Sequence, residues 1–97
     1  MLPVTYTAAA KKYFKKLKDQ KLLTLYYKTI SAIRLNPYCG KAKSGDLKGL
    51  YSIDVYYEGN NYELAYRIVK LENNKIIVVI MAGTRENFYK ELKRYIK

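Results

Sequence analysis

The segment Lys75–Ala82, with the sequence KIIVVIMA, constrains the fold of this chain more than any other stretch. After its first residue it carries no charge, and it is rich in the β-branched residues that favour strands. In a strand its side chains alternate, with Ile76, Val78 and Ile80 on one face and Ile77, Val79 and Met81 on the other. A strand that is apolar on both faces is covered on both, so this pattern predicts an interior strand of a sheet.

The chain leaves this strand at a junction that carries two polar side chains. Gly83 ends the predicted strand, and the hydroxyl of Thr84 can cap the helix that follows. Arg85 and Tyr89 lie four residues apart on that helix and therefore share one face. Taken alone, this stretch favours a plain strand–helix junction, with Arg85 in solvent and Tyr89 half-buried.

The remaining strands and helices follow from periodicity, and they predict an α+β fold in the order β-α-α-β-β-β-α. Three consecutive strands form an antiparallel sheet, a helical hairpin covers one face, and a helix ends the chain. The length of 97 residues fits one domain, residues 1–97. The chain begins with a predicted strand at Leu2–Tyr6 and a helix capped by Thr7. A second helix lies between Asp19-Gln20 and Asn36-Pro37, and its apolar stripe is Leu23, Tyr26, Tyr27, Ile30 and Ile33. A loop follows at Tyr38–Gly49, and then come strands at Leu50–Tyr57 and Tyr62–Val69, joined by a turn at residues 58–61.

The charge balance indicates a polyanionic partner. The chain has 19 Lys and Arg residues against 8 Asp and Glu residues, a net charge of +11. Residues 1–48 hold eleven of the basic and two of the acidic residues. Nucleic acid is the commonest polyanion in the cytoplasm, although an acidic protein would be attracted by the same field.

Several classes of site and location are disfavoured by composition. Cys39 is the only cysteine and histidine is absent, so an internal disulfide, a zinc site and a thiolate–imidazole pair are not expected. No apolar run reaches the about 18 residues of a membrane span, and the first residues do not resemble a signal peptide. We expect a cytoplasmic protein that uses no cofactor.

One face of the predicted sheet is rich in ionisable side chains. Strand alternation places Ser52, Asp54, Tyr56, Glu63 and Arg67 on the face opposite the helical hairpin. The junction adds Arg85 and Tyr89 to that face. The glycine-containing loop before the first hairpin strand carries Lys41, Lys43 and Lys48, which are candidate contacts for the phosphates of RNA.

Three local sequences resemble the RelE/ParE superfamily of bacterial type II toxins. They are Leu47-Lys48-Gly49, Tyr62–Ile68 (YELAYRI) and Gly83–Glu86 (GTRE) followed by Tyr89. The last of these is similar to the RelE-like branch, and the resemblance covers essentially the whole chain. It implies a small α+β toxin that binds the ribosomal A site, cuts mRNA and is held inactive by a cognate antitoxin.

The sequence departs from the RelE pattern at several functional positions. The RelE toxin carries two lysines where this chain has Ser52 and Asp54, and an arginine where it has Glu63. Only Arg85 and Tyr89 carry over directly, and the histidine of some relatives is missing. Two alternatives therefore stay open: a ParE-like toxin that poisons DNA gyrase without chemistry of its own, and a non-enzymatic basic RNA-binding domain.

Cleavage of RNA through its 2′-hydroxyl needs a base, an acid and cations around the phosphate, and it needs no metal. Arg85 and Arg67 are the candidate cations, because a guanidinium binds two phosphate oxygens and stays charged. Lys48 would assist them.

A carboxylate can serve as the base, and Asp54 and Glu63 both fit, as a glutamate does in the similar YoeB branch. A surface salt bridge to Arg67 explains either carboxylate equally well. Tyr89 can stack on a base of the RNA or donate a proton.

Overall fold

Residues 1–96, which the computed structural model describes, form a five-stranded sheet with helices on both faces. The predicted α+β order is confirmed, and one short strand, β2, is added inside the predicted loop. None of the helices among these residues is long and apolar enough to cross a membrane. The elements are β1 (Val4–Tyr6), α1 (Ala8–Lys16), α2 (Gln20–Leu35), β2 (Lys41–Ala42), a 3-10 turn (Gly45–Leu47), β3 (Leu50–Tyr57), β4 (Asn60–Lys70), β5 (Lys75–Thr84) and α3 (Arg85–Ile96).

The sheet has the strand order β1-β5-β4-β3-β2. Strands β3, β4 and β5 form the predicted antiparallel meander, and β5 is an interior strand as its two apolar faces indicate. The first strand differs from the prediction, because β1 pairs with β5 in parallel, with Val4 opposite Ile77. The sheet is therefore mixed rather than purely antiparallel. The long chain segment between β1 and β5 supplies the crossover that a parallel pair requires.

The helical hairpin of α1 and α2 covers one face of the sheet. Thr7 caps α1 by accepting a hydrogen bond from the amide of Ala10, and Asp19 caps α2 in the same way, so both predicted helix starts are confirmed. The prediction was wrong for Tyr27, which is 47% exposed rather than part of the core. The buried side chains of the hairpin are Ala10, Phe14, Leu22, Tyr26, Ile30 and Ile33.

A β-bulge in β5 changes which side chains face the hairpin. Tyr66 of β4 pairs with Val79 and Ala65 pairs with Met81, so one residue of β5 is unpaired between them. The extra residue shifts the alternation. Met81 was predicted on the face opposite Ile80, but both contact the cluster beneath α3.

The opposite face of the sheet supports α3. Strand β5 continues through Thr84, past the predicted end at Gly83, and Arg85 is the first residue of the helix. Helix α3 rests on a second apolar cluster, which fixes its position over β4 and β5. The buried members of this cluster are Leu47, Leu50, Ala65, Ile80, Phe88 and Leu92.

The turn between β3 and β4 sets the register of the two strands. Glu58 and Gly59 both have positive φ, 47° and 78°, as a two-residue type I′ hairpin turn requires. The turn is shorter than the predicted one, and Asn60 and Asn61 belong to β4. As a result, β3 and β4 pair so that the carboxyl groups of Asp54 and Glu63 lie on residues directly opposite each other.

Candidate active site

Glu63 is the centre of a cluster of polar side chains on the α3 side of the sheet. Its side chain is 2% exposed, which is unusual for a carboxylate. It lies on β4 directly opposite Asp54 of β3, and residues two apart on a strand share a face. Sequence alternation predicted this face correctly, but it did not predict that Glu63 is buried.

Tyr89 covers Glu63 from above. Its hydroxyl donates a hydrogen bond to Glu63 Oε2 at 2.9 Å and lies 3.2 Å from Ser52 Oγ. Phe88 and Leu92, which flank Tyr89 on α3, are buried in the cluster beneath the helix. The tyrosine is therefore held by a helix that is anchored on both sides of it.

Arg85 supplies a positive charge at the edge of the same cluster. Its Nε lies 3.7 Å from Glu63 Oε1, and its side chain is 58% exposed. One edge of the guanidinium thus approaches the buried carboxylate, while the side chain as a whole stays open to solvent. An exposed guanidinium in this position can bind two oxygens of a phosphate.

The two carboxyl groups differ in how tightly they hold a proton. The hydrogen bond from Glu63 lowers the pKa of Asp54, and the charges of Arg85 and Lys41 lower it further. Burial raises the pKa of Glu63, and the hydrogen bond to Asp54 raises it further. Of the two carboxyl groups, Asp54 is therefore the more acidic, and a single proton bound by the pair would lie on Glu63. Because Asp54 is also the more exposed of the two, it is the group that a substrate can reach.

Strand β2 brings two of the three candidate lysines to this cluster. Lys41 pairs with Ser52 across the β2–β3 ladder. Lys43 follows β2, and its Nζ lies 4.7 Å from the centroid of the Tyr89 ring, in the range of a cation–π contact. The cations near the site therefore include lysines from the loop as well as Arg85.

The loop that carries β2 is tied to the sheet by a buried tyrosine. The hydroxyl of Tyr66 donates to the carbonyl of Pro37 at 2.7 Å and accepts from the amide of Gly40 at 3.0 Å. A Cβ at Gly40 would lie 2.7 Å from that hydroxyl and 2.9 Å from the carbonyl of Ser52, so only glycine fits there. These contacts fix the loop at the point where β2 begins.

Two predicted site residues are not brought to the cluster. Arg67 lies four residues from Glu63 on β4, and Lys48 follows the 3-10 turn; both are exposed. Within residues 1–96 the ion pair of Glu63 is made by Arg85, so the alternative of a salt bridge between Glu63 and Arg67 was wrong. Arg67 and Lys48 can contact RNA only at a distance from the carboxylates.

Sequence reasoning missed the contribution of Asn61. It was assigned to a turn, whereas the structure places it on β4, two residues before Glu63 and on the same face. Its side-chain amide contributes to lowering the pKa of Asp54, after Glu63, Arg85 and Lys41. The signal was available, since β4 alternation extends to Asn61 once the turn is assigned to residues 58–59 alone.

The raised pKa of Glu63 predicts a specific pH dependence of folding. Because the pKa of Glu63 in the folded protein lies above its unfolded value of about 4.5, the folded state holds this proton more tightly than the unfolded state does. The stability that this difference contributes is present at low pH. It is lost as the pH rises from about 4.5 through the folded pKa. We expect the free energy of unfolding of the parent to fall over this window relative to that of Glu63→Gln. Urea denaturation of both proteins at a series of pH values measures the difference. Glu72→Gln, in an exposed turn, is the matched control, and equal slopes for the parent and Glu63→Gln would exclude a raised pKa at Glu63.

No group of three or more His, Cys, Asp or Glu side chains among residues 1–96 is arranged to hold a metal ion. The cluster instead combines an accessible carboxylate, a hydroxyl held by a buried carboxyl group, and several cations. These are the groups that proton transfer at a phosphodiester uses.

Residues 4–93 match the family described as ParE-like toxin of type II bacterial toxin–antitoxin system. No curated protein matches the chain significantly.

Three solved structures share the fold. One is a YoeB/ParE toxin from Agrobacterium tumefaciens, 16% identical, with a TM-score of 0.73 over 87% of this chain and 99% of the other. A free double mutant of the E. coli toxin RelE is 18% identical, with a TM-score of 0.74 over 97% and 92% of the two chains. The toxin–antitoxin complex RelBE2 from Mycobacterium tuberculosis contains a chain that is 24% identical, with a TM-score of 0.65 over 87% and 98%. At these identities the likeness concerns the fold.

Proposed function

The chain belongs to the ParE-like toxins of type II bacterial toxin–antitoxin systems, within the RelE/ParE superfamily, and we propose that it is a ribosome-dependent mRNA endonuclease. A toxin of this class has an antitoxin protein as its partner. Ribosomes and mRNA are the targets that we propose, and the cytoplasm is therefore its place of action. One observation carries the proposal. The accessible carboxylate of Asp54 and the exposed guanidinium of Arg85 lie on either side of the buried carboxyl group of Glu63, which interacts with both.

Asp54 is the proposed general base. It accepts the proton of the 2′-hydroxyl, and the 2′-oxygen then attacks the adjacent phosphorus. The hydrogen bond from Glu63 lowers the pKa of Asp54 and so favours its carboxylate form. Asn61 and Lys41 favour the same charge state of Asp54.

Arg85 is the proposed phosphate-binding cation. As the 2′-oxygen bonds to phosphorus, negative charge grows on the non-bridging oxygens, and a planar guanidinium can bind two of them. Arg85 is the first residue of α3 and directly follows β5, so its backbone is held by the sheet. The sheet therefore fixes the point from which the exposed side chain of Arg85 reaches the phosphate.

Tyr89 is the proposed proton donor. The bond between phosphorus and the 5′-oxygen breaks in this step, and the leaving oxygen takes a proton, giving a 5′-hydroxyl and a 2′,3′-cyclic phosphate. The hydroxyl of Tyr89 is aligned by Glu63, and the ammonium of Lys43 over its ring stabilises the phenolate that forms. Tyrosine is a weak acid at neutral pH, so this cationic environment matters.

The ribosome is proposed to supply the position of the substrate. The groups on this face bind phosphate and move protons, but a carboxylate and a tyrosine are weak catalysts unless the 2′-oxygen is in line with the leaving group. Holding a reactant in such a geometry is worth several orders of magnitude in rate. The mRNA in the ribosomal A site would be presented in that way.

A gyrase-inhibiting toxin that performs no chemistry is the second candidate function, and the contacts of Glu63 are compatible with it. Both oxygens of Glu63 are engaged, one by Tyr89 and one by Arg85, so the cluster can also be understood as a structural network that holds α3 against the sheet. In that case the fold presents a binding surface and performs no chemistry.

The order of effects in growing cells separates these two functions. After induction of the toxin, we expect incorporation of labelled amino acids to stop before plasmid supercoiling changes, because the proposed target is translation. The folded Arg85→Ala variant serves as the control and should leave both unchanged over the same interval. Loss of supercoiling ahead of any effect on translation would support the gyrase function instead.

A further inference from the structure

The helical hairpin carries a second concentration of positive charge, on the opposite face of the sheet from Glu63. Its only acidic residue, Asp19, already accepts hydrogen bonds from the start of α2 and from the hydroxyl of Tyr57. The proposed active site uses none of the charges on this side of the molecule. The exposed lysines here are Lys11, Lys12, Lys15, Lys16, Lys18, Lys21 and Lys28.

An aromatic cavity lies within this charged region. It has a volume of about 270 Å³ and is lined by Tyr6, Lys11, Phe14, Lys15 and Tyr27. The ring of Tyr27 is tilted by 33° against the ring of Phe14, with 6.0 Å between the centroids. With Phe14 on one side and 47% of its surface exposed, Tyr27 has an open ring surface for a ligand.

Two lysines are positioned beside this open ring. Lys11 and Lys15 are four residues apart on α1 and therefore lie on one face of the helix, one turn from each other. Proteins that bind single-stranded nucleic acid combine basic side chains with aromatic rings on which bases stack, and this surface has both. The ring stacks on a base, and the lysines bind the adjacent phosphates.

We propose that the surface formed by Tyr6, Lys11, Lys15 and Tyr27, called here the hairpin surface, binds an unpaired segment of RNA. The open ring of Tyr27 fits a base, and the lysines beside it fit the phosphates adjacent to that base, so these residues favour a nucleic acid. The hairpin surface lies across the sheet from Asp54 and Arg85. It binds RNA whether or not those residues cut it, and on a ribosome it provides a second point of attachment.

Binding of a labelled 2′-O-methyl oligoadenylate of about ten nucleotides to the full chain tests the stacking contact. The methyl group blocks cleavage through the 2′-oxygen, so fluorescence anisotropy reports binding alone. We expect Tyr27→Leu to weaken the affinity by about 5- to 150-fold, from the typical strength of base–aromatic stacking. Tyr27→Phe should bind like the parent, because it keeps the ring. Tyr95→Leu, at a tyrosine that is 46% exposed on α3, is the matched control and should also bind like the parent.

The salt dependence of binding tests the two lysines. Each phosphate contact with a single strand contributes about 0.7 to the slope of log affinity against log salt, so the double variant Lys11→Gln/Lys15→Gln should lower the slope by about 1.4. The double variant Lys70→Gln/Lys93→Gln removes the same charge from exposed positions elsewhere and should keep the parent slope.

Three results would overturn the proposal. Tyr27→Leu could bind as tightly as the parent while folded by circular dichroism. The affinity for the oligonucleotide could instead fall in Lys41→Gln/Lys43→Gln and stay at the parent value in Tyr27→Leu, which would place the RNA on the face of Glu63. Tyr27→Leu and Lys11→Gln/Lys15→Gln could lose the antitoxin and keep the oligonucleotide, which would make the hairpin surface a protein-binding site. A loss of cleavage in Asp54→Asn with unchanged oligonucleotide binding concerns only the active site.

Discussion

Asp54→Asn should lower the single-turnover rate of mRNA cleavage on the ribosome by about 10²- to 10⁴-fold, the usual contribution of a general base. Asparagine has nearly the same shape but cannot accept the proton of the 2′-hydroxyl. Ribosome binding should change little, because the variant keeps every cation of the site. Rapid mixing of saturating toxin with programmed ribosomes gives the rate, and cosedimentation gives the binding.

Two other carboxyl substitutions make this result specific. Asp46→Asn removes the same charge from an exposed position in the 3-10 turn and should cut like the parent. Glu63→Gln keeps an acceptor for Tyr89 and a donor for Asp54, so its loss of rate should be smaller than that of Asp54→Asn. A parent rate for Asp54→Asn would exclude it as the base. A larger loss for Glu63→Gln would assign that role to the buried carboxylate.

Arg85→Ala should lower the cleavage rate by about 10²- to 10³-fold, as the removal of one preorganised donor to a developing oxyanion typically does. Its side chain is the guanidinium that approaches the carboxyl pair. Arg94→Ala removes an exposed arginine from the same helix and should cut like the parent. Cleavage and growth arrest by folded Arg85→Ala at the parent level would show that the proposed site is wrong.

Tyr89 has two separable roles, which Tyr89→Phe and Tyr89→Ala distinguish in the same assay. A proton donor predicts that both variants fail, whereas a purely stacking role predicts that the phenylalanine works and the alanine does not. We expect both to fail, because the hydroxyl is oriented by Glu63. Both variants also remove a hydrogen bond from a buried carboxyl group, at a cost of about 1–3 kcal/mol in stability. Thermal unfolding must therefore confirm that the assayed proteins are folded.

Much of the fold follows from patterns that depend on only a few neighbouring residues. The two apolar faces of Lys75–Ala82 predicted an interior strand, and alternation along β3 and β4 placed Asp54 and Glu63 on one face. The helical spacing of Arg85 and Tyr89 placed both on the side that contacts Glu63. These features require only the period of each element and the order of the strands.

The remaining features depend on contacts between residues that are distant in sequence. Strand β2 has two exposed residues and no hydrophobic pattern, and its position depends on the buried hydroxyl of Tyr66. The unpaired residue in β5 follows from how that strand fits β4. The burial of Glu63 depends on α3 covering it, since a glutamate on an alternating strand is ordinarily exposed. For this reason the sequence predicted which residues share the face but not how each is engaged.

The most direct test of the proposed function compares one mRNA in two states, bound in the A site of a programmed ribosome and free in solution, each mixed with the purified toxin. We expect cleavage of the ribosome-bound mRNA and barely any of the free mRNA, because the ribosome supplies the alignment that these side chains cannot impose. Adding the purified antitoxin should abolish the cleavage. Equal cleavage of both states would contradict ribosome dependence, and no cleavage of either, together with inhibition of gyrase, would contradict the endonuclease function itself.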